Sequence, residues 1–201
     1  MKLYFSPGAC SLSPHIVLLE AGLPCTIERV DLGSKKTASG QDFRAINSKG
    51  YVPALETDSG VILTEGPAIT QYLADLAPEK HLAPPNGSIE RYQMMSWLNF
   101  VATEIHKNYS PLFDPAGSDD LKAAAFKNLA RRYAHLDTAL EGREYLTGQY
   151  SLADIYLYVV TNWAGHVKFD LAPFANVQAF QKRIGARPAV QQALRAEGLL
   201  H

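Results

Sequence analysis

Cys10 follows a short β-prone run and precedes an apolar-periodic segment, so it falls where a strand gives way to a helix. The partial positive charge at a helix start favours thiolate over thiol and lowers a reference pKa of about 8.5. The run is Cys10-Ser11-Leu12-Ser13, with serine where the second thiol of a Cys-x-x-Cys pair would stand. A disulfide at Cys10 therefore needs a thiol from outside. A buried, inert cysteine is the other reading, and it suits Cys25; the Pro7-Gly8 loop beside Cys10 favours reactivity.

Three further groups have the residue types for binding or proton transfer. Pro53 opens a β-prone run without a donor of its own, which leaves the backbone of Val52 for an extended ligand. Glu65-Gly66 precedes Pro67 at a helix start, where outward-pointing N–H groups favour a carboxylate. An edge-strand proline and a glycine turn are the plainer interpretation of both. Asn99, Thr103, His106 and Lys107 follow helical spacing on one face, with Leu98, Val101, Ala102 and Ile105 on the apolar side. Taken alone, such a stripe is a solvated face; walling a cleft, it would let His106 donate to a sulfur or activate a water. Lys35 and Lys36 matter only to a ligand with a second carboxylate, and Tyr4 is either a phenol near Cys10 or a core aromatic.

The elements that must position these groups follow from local signals. Lys2 to Phe5 reads as a strand, and Ser13-Pro14 caps a helix that ends at Gly22. Thr26 to Leu32 reads as a second strand, residues 33–40 as a polar loop, and Phe43 to Ile46 as a short helical patch. Val52–Glu56 and Val61–Thr64 form a hairpin around Thr57-Asp58-Ser59-Gly60, and a helix runs from Pro67 to Pro78. A βαβ unit followed by ββα is the thioredoxin-like α/β arrangement. Pro78 to Gly87 has a linker's prolines and polarity. The rest reads as helix: Ser88 to about Tyr109, Ser118 to about Leu140, Ser151 to about Val167, Phe174 to Ile184, and Ala189 to Ala196. The third of these is apolar nearly all round and starts with the capping box Ser151-Leu152-Ala153-Asp154, so Asp154 reads as folding chemistry.

The totals remove several classes. With 201 residues, 19 basic and 20 acidic, the net charge is −1 and no basic tract suggests nucleic acid or anionic membrane. No apolar run approaches the about 20 residues of a membrane helix, and the N-terminus is too short in its apolar part for a secretory signal. Two cysteines make no disulfide framework, which points to a reducing, cytoplasmic compartment. No Cys/His cluster has metal-ligand spacing, so no metal is expected.

Pro7-Gly8-Ala9-Cys10-Ser11, Val52-Pro53-Ala54-Leu55, Thr64-Glu65-Gly66, Ala68-Ile69, Tyr72-Leu73, Asn99 with His106-Lys107, and Ser151-Leu152-Ala153-Asp154 together resemble a bacterial beta-class glutathione S-transferase. The resemblance spans essentially the whole chain. It implies an α/β plus all-α fold: a thioredoxin-like (βαβαββα) glutathione-binding domain over residues 1–78, a linker over 79–87, and an all-helical domain over 88–201. It also implies a homodimer that conjugates reduced glutathione, as co-substrate, to small hydrophobic electrophiles in detoxification. Pro53 matches the family's cis-proline, and Val52 would pair its backbone with the cysteinyl part of glutathione. Glu65 and the N–H of Gly66 would hold the γ-glutamyl end, and Lys35 the glycine carboxylate. Cys10 would lie near the glutathione sulfur, with Asn99, Thr103, Glu104, Ile105 and His106 completing the site. Glycine at position 66 replaces the serine of many relatives and keeps only the backbone donor. Tyr109, Leu112, Phe113 and Trp163 are candidates for the electrophile's apolar wall, with plain core as the alternative. Two other activities suit the same residues: thiol–disulfide exchange or reductive dehalogenation with Cys10 as nucleophile, and non-catalytic carriage of apolar ligands.

Overall fold

Leu3, Tyr4 and Phe5 are buried, and the strand they build, β1 (Lys2–Phe5), is the centre of the sheet in the computed structural model, which describes residues 1–200. β1 pairs in parallel with β2 (Thr26–Asp31) and antiparallel with β4 (Ala54–Glu56). β5 (Ile62–Thr64) extends the sheet beyond β4, and β3 (Lys36–Thr37) beyond β2, so the order is β3-β2-β1-β4-β5. Helices α1 (Leu12–Ala21), α2 (Phe43–Ile46) and α3 (Gly66–Leu76) complete a thioredoxin-like unit. Tyr4, Val30, Phe43, Val52 and Ala54 form one buried cluster, backed by Ala9, Ile46 and Ile62.

Three local differences from the sequence expectation have physical causes. The first concerns the start of α1, which lies at Leu12 and not at Ser13-Pro14, because the Leu12 and Ser13 N–H groups already bond the carbonyls of Ala9 and Cys10 (3.0 and 3.1 Å). Pro14 then falls in the first turn, where its missing N–H leaves no bond unmade. The polar loop at 33–40 contains β3, whose two residues find their register against Val30 and Asp31. The strand expected from Val52 begins at Ala54, after the Val52–Pro53 peptide, which is cis.

The chain divides into two compact units, one of residues 1–83 with those from 187 onward, the other of Pro84–Ala186. The last helix, α10 (Pro188–Ala196), therefore packs on α1 in the first unit, although a division at 78/88 assigns it to the helical region. Val190 and Ala193 supply the buried apolar contacts, and Arg187 clamps Glu20 through two bonds of 2.7 and 3.1 Å. In the second unit, Ser88 and Ser118 cap α4 (Ile89–Phe100) and α6 (Asp119–Ala139) as their side chains suggest. Between them lie a π-helical stretch (Val101–His106) and α5 (Lys107–Phe113). All ten residues of α7 (Leu152–Thr161) are buried, the expected central helix. It stops at Thr161, short of Val167; Gln181 from α9 (Ala175–Gly185) donates to Tyr158 O and Asn162 Oδ1 where the chain turns into α8 (Trp163–His166). No helix among the described residues is long and apolar enough to cross a membrane.

Candidate functional site

The end of β1 delivers the chain into Ser6-Pro7-Gly8, and Ser11 ties that turn together. Its hydroxyl accepts the Ser6 N–H at 3.1 Å and donates to the Ser6 carbonyl at 3.2 Å. Gly8 sits at φ 71°, a conformation that favours glycine, and its N–H donates to Glu197 Oε2 at 2.9 Å. Glu197 also meets His15 Nδ1 at 2.9 Å, so the loop before Cys10 is held from α1 and from the end of α10. Tyr4 is core: it is buried and its hydroxyl donates to Glu56 at 3.1 Å.

Cys10 Sγ donates to the carbonyl of Val52 at 3.3 Å. The expected thiolate is not what this environment favours. Burial pushes the Cys10 thiol up to about 12, with a smaller push from the Glu65 charge. Backbone hydrogen bonds at Cys10 and Ser11 pull the other way and are outweighed. The helix-start effect is real but is smaller than the cost of charging a half-buried sulfur packed among protein atoms. At neutral pH the residue is a thiol, able to donate a hydrogen bond.

Val52 is nearly buried, and its carbonyl is the one that Cys10 meets. Glu65 is the cap residue of α3 at φ 68°, a positive value that costs a non-glycine residue roughly 1–3 kcal/mol. Its Oε1 lies 2.5 Å from Lys49 Nζ. Gly66 does not need to be glycine on steric grounds: a Cβ there would meet Pro53 Cγ at 3.9 Å, an ordinary contact. Lys35 Nζ donates to Gly50 O at 3.0 Å and lies 5.8 Å from the centre of the Tyr51 ring. Lys36 is exposed on β3.

In the second unit, Asn99 and Thr103 are exposed, and the Thr103 hydroxyl donates to Asn99 O at 3.0 Å. Glu104 pairs with Arg132 and its carbonyl accepts from Asn108 at 2.7 Å, whereas Ile105 is fully buried. These residues lie in the π-helical stretch, whose i→i+5 bonding breaks the 3.6-residue phase and with it the single polar face expected from Asn99 to Lys107. His106 turns inward, with Nδ1 2.6 Å from Tyr156 OH and its ring edge-on to Trp163 at 4.7 Å. Trp163 also gathers Phe113 and Tyr109, with ring centroids at 5.5 and 5.6 Å.

So the structure brings together three of the four residues expected to wall an apolar pocket, and adds His106 to them. Phe113 is 49% exposed, Leu112 half-buried beside it on α5, Trp163 nearly buried and Tyr109 wholly so. Tyr109 backs the cluster from the core, since its hydroxyl is 2.9 Å from that of Tyr133, which donates on to Thr161 Oγ1 at 3.1 Å. Burial pushes the Tyr109 phenol far above its usual range. Three polar residues were not legible as site components: Lys49, Tyr156 and Glu197. Lys49 lies in an unremarkable turn sequence, Tyr156 on a helix that reads as pure core, and Glu197 beyond the last periodic segment. Asp154 caps α7 as read: Oδ2 accepts from the Ser151 N–H and hydroxyl, both at 2.9 Å, and Oδ1 from the Leu146 N–H at 2.9 Å.

Residues 8–76 match the family model for the glutathione S-transferase N-terminal domain, and residues 100–188 that for the C-terminal domain. The chain is 45% identical to glutathione S-transferase GstA of Escherichia coli O157:H7, over 99% of this chain and all of the relative. It superposes with a TM-score of 0.98 on the ternary complex of BphK, a bacterial GST, at 58% identity and covering 99% and 100% of the two chains. A bacterial beta-class glutathione S-transferase of Sphingomonas chungbukensis matches with a TM-score of 0.97 and 46% identity over both full chains. The chain therefore belongs to the glutathione S-transferase family, as a glutathione-using enzyme of its bacterial beta class.

Proposed function

We propose that this enzyme conjugates reduced glutathione to small hydrophobic electrophiles, with the glutathione sulfur resting beside Cys10. The observation that carries this is the Cys10 thiol on the Val52 carbonyl at 3.3 Å. An extended peptide that pairs with the backbone of Val52 through its cysteinyl residue brings its own sulfur to the neighbourhood of Cys10. In the first unit, Glu65 and the Gly66 N–H receive the γ-glutamyl end, the Val52-Pro53 backbone the middle, and Lys35 the glycine carboxylate. In the second unit we assign Asn99, Thr103, Glu104, Ile105 and His106 to glutathione, and Leu112, Phe113 and Trp163, backed by Tyr109, to the apolar co-substrate.

The chemistry follows from Cys10 staying protonated. When the cysteinyl N–H of glutathione takes over the Val52 carbonyl, the freed Cys10 S–H donates to the neighbouring glutathione thiolate. That thiolate attacks the electrophilic carbon, the carbon–sulfur bond forms as the leaving group departs, and the proton lost from glutathione goes to solvent. A half-buried thiol held well above its usual pKa range is a poor nucleophile, which places conjugation ahead of thiol–disulfide exchange or dehalogenation through Cys10. We take the enzyme to work as a cytoplasmic homodimer in detoxification.

Cys10→Ala tests the reading. Calorimetry should still show uptake of reduced glutathione, and conjugation to an aryl halide should persist at a rate lowered about 10- to 150-fold, the loss of one hydrogen bond to a charged sulfur. Abolished conjugation, with disulfide reduction abolished alongside, would transfer the assignment to Cys10 as nucleophile. Retained uptake of apolar ligands with no turnover in the unmodified enzyme would leave only a carrier.

A further inference from the structure

Glu65 carries the amino end of glutathione in the function proposed above, and its surroundings show a residue holding it in place. Lys49 Nζ lies 2.5 Å from Glu65 Oε1 and donates to Thr64 Oγ1 at 2.8 Å. The lysine springs from a turn that is itself fixed. Asn47, nearly buried, accepts the Lys49 N–H on Oδ1 at 3.2 Å and donates through Nδ2 to Tyr51 O at 2.6 Å, and Gly50 closes the turn at φ 66° with its N–H on Asn47 O at 2.8 Å. Both charged side chains are well exposed, 44% for Lys49 and 69% for Glu65, so the pair contributes little to folding. Its consequence is orientation: a glutamate side chain that would otherwise sample several rotamers is held at one oxygen.

We propose that Lys49 is a positioning residue for glutathione, fixing the Glu65 carboxylate through Oε1 so that Oε2 faces the incoming α-ammonium. A carboxylate has about four lone-pair sites on two oxygens, so one cation on each is accommodated. The lysine also removes the rotamer freedom that the ligand would otherwise have to freeze on binding. This role rests on Glu65 as the ammonium anchor.

Calorimetry with reduced glutathione on the full-length enzyme tests it. Lys49→Met should raise Kd about two- to fivefold, the range of an exposed ion pair, while kcat at saturating glutathione changes less than twofold. Lys49→Arg should restore Kd to within twofold of the unmodified enzyme. In a Glu65→Gln background, Lys49→Met should add nothing, and against a glutathione analogue lacking the α-amino group it should be silent in the unmodified background too. A Kd changed less than twofold or tightened by Lys49→Met, or an effect that survives in Glu65→Gln, overturns the role of Lys49. Should Glu65→Gln alone leave Kd unchanged, the Glu65 assignment falls, and this proposal with it.

Discussion

Removing the Asp154 carboxylate should destabilise the second unit by roughly 3 kcal/mol at pH 7, and by more as the pH falls. Asp154 is fully buried, and three donors converge on it: the Leu146 N–H on Oδ1, and the Ser151 N–H and hydroxyl on Oδ2, each at 2.9 Å. Hydrogen bonds to a charged group are worth about 1.5–3 kcal/mol each, so Asp154→Ala forfeits a gross 4.5–9 kcal/mol or so. Against that stands the cost of burying the charge. Burial outweighs the hydrogen bonds and raises the Asp154 carboxyl from 3.8 to about 6, so the net loss falls well below that gross figure. Leaving three buried donors unsatisfied costs about 1–3 kcal/mol each, and the bottom of that range, about 3 kcal/mol in all, is the better guide because the emptied space relaxes. For a chain of this size, 3 kcal/mol lowers Tm by about 6–12 °C.

The pH dependence has a definite sign. A carboxyl whose folded pKa exceeds its unfolded one binds more protons when folded, so its stabilising contribution is complete below pH 3.8 and is lost as the pH rises through about 6. The gap between the unmodified protein and Asp154→Ala should therefore widen by about 2–2.5 kcal/mol between pH 8 and pH 4. Urea titrations followed by circular dichroism at both pH values measure it, with equal slopes confirming that only stability has changed. A gap under about 1 kcal/mol at pH 7, or one that narrows on acidification, would refute the reasoning.

Two other perturbations probe groups whose environments the fold has set. With no ligand bound, Cys10 should alkylate with iodoacetamide more slowly than an exposed cysteine at pH 8, and its rate should still be climbing above pH 10, as read by peptide mass spectrometry, since burial raises this thiol to about 12; an inflection below pH 8.5 would show the helix start prevailing over burial. Tyr133→Phe removes the middle of the buried hydroxyl relay from Tyr109 to Thr161 and should lower unfolding free energy by about 1–3 kcal/mol in denaturant titration, with an unchanged midpoint counting against the relay.

The amino-acid sequence was sufficient wherever a local interaction decides the outcome. Ser88, Ser118 and the Ser151–Asp154 box mark helix starts because the cap hydrogen bonds are made within three residues. The turn at Thr57–Gly60 and the helix at Phe43–Ile46 were equally legible. So was the αβ-then-helical order, since hydrophobic period and turn chemistry are properties of short windows. Tertiary structure decided the rest. Strand β3 exists only because Val30 and Asp31 lie beside Lys36 and Thr37, and α10 joins the first unit because its apolar face finds α1. The state of Cys10 turned on how much water reaches its sulfur, which no spacing rule encodes. Lys49 on Glu65 and Tyr156 on His106 join residues 16 and 50 positions apart. Contacts of that kind carry no periodic signal, because their geometry is set by the packing of whole elements and only then by the residues that happen to meet.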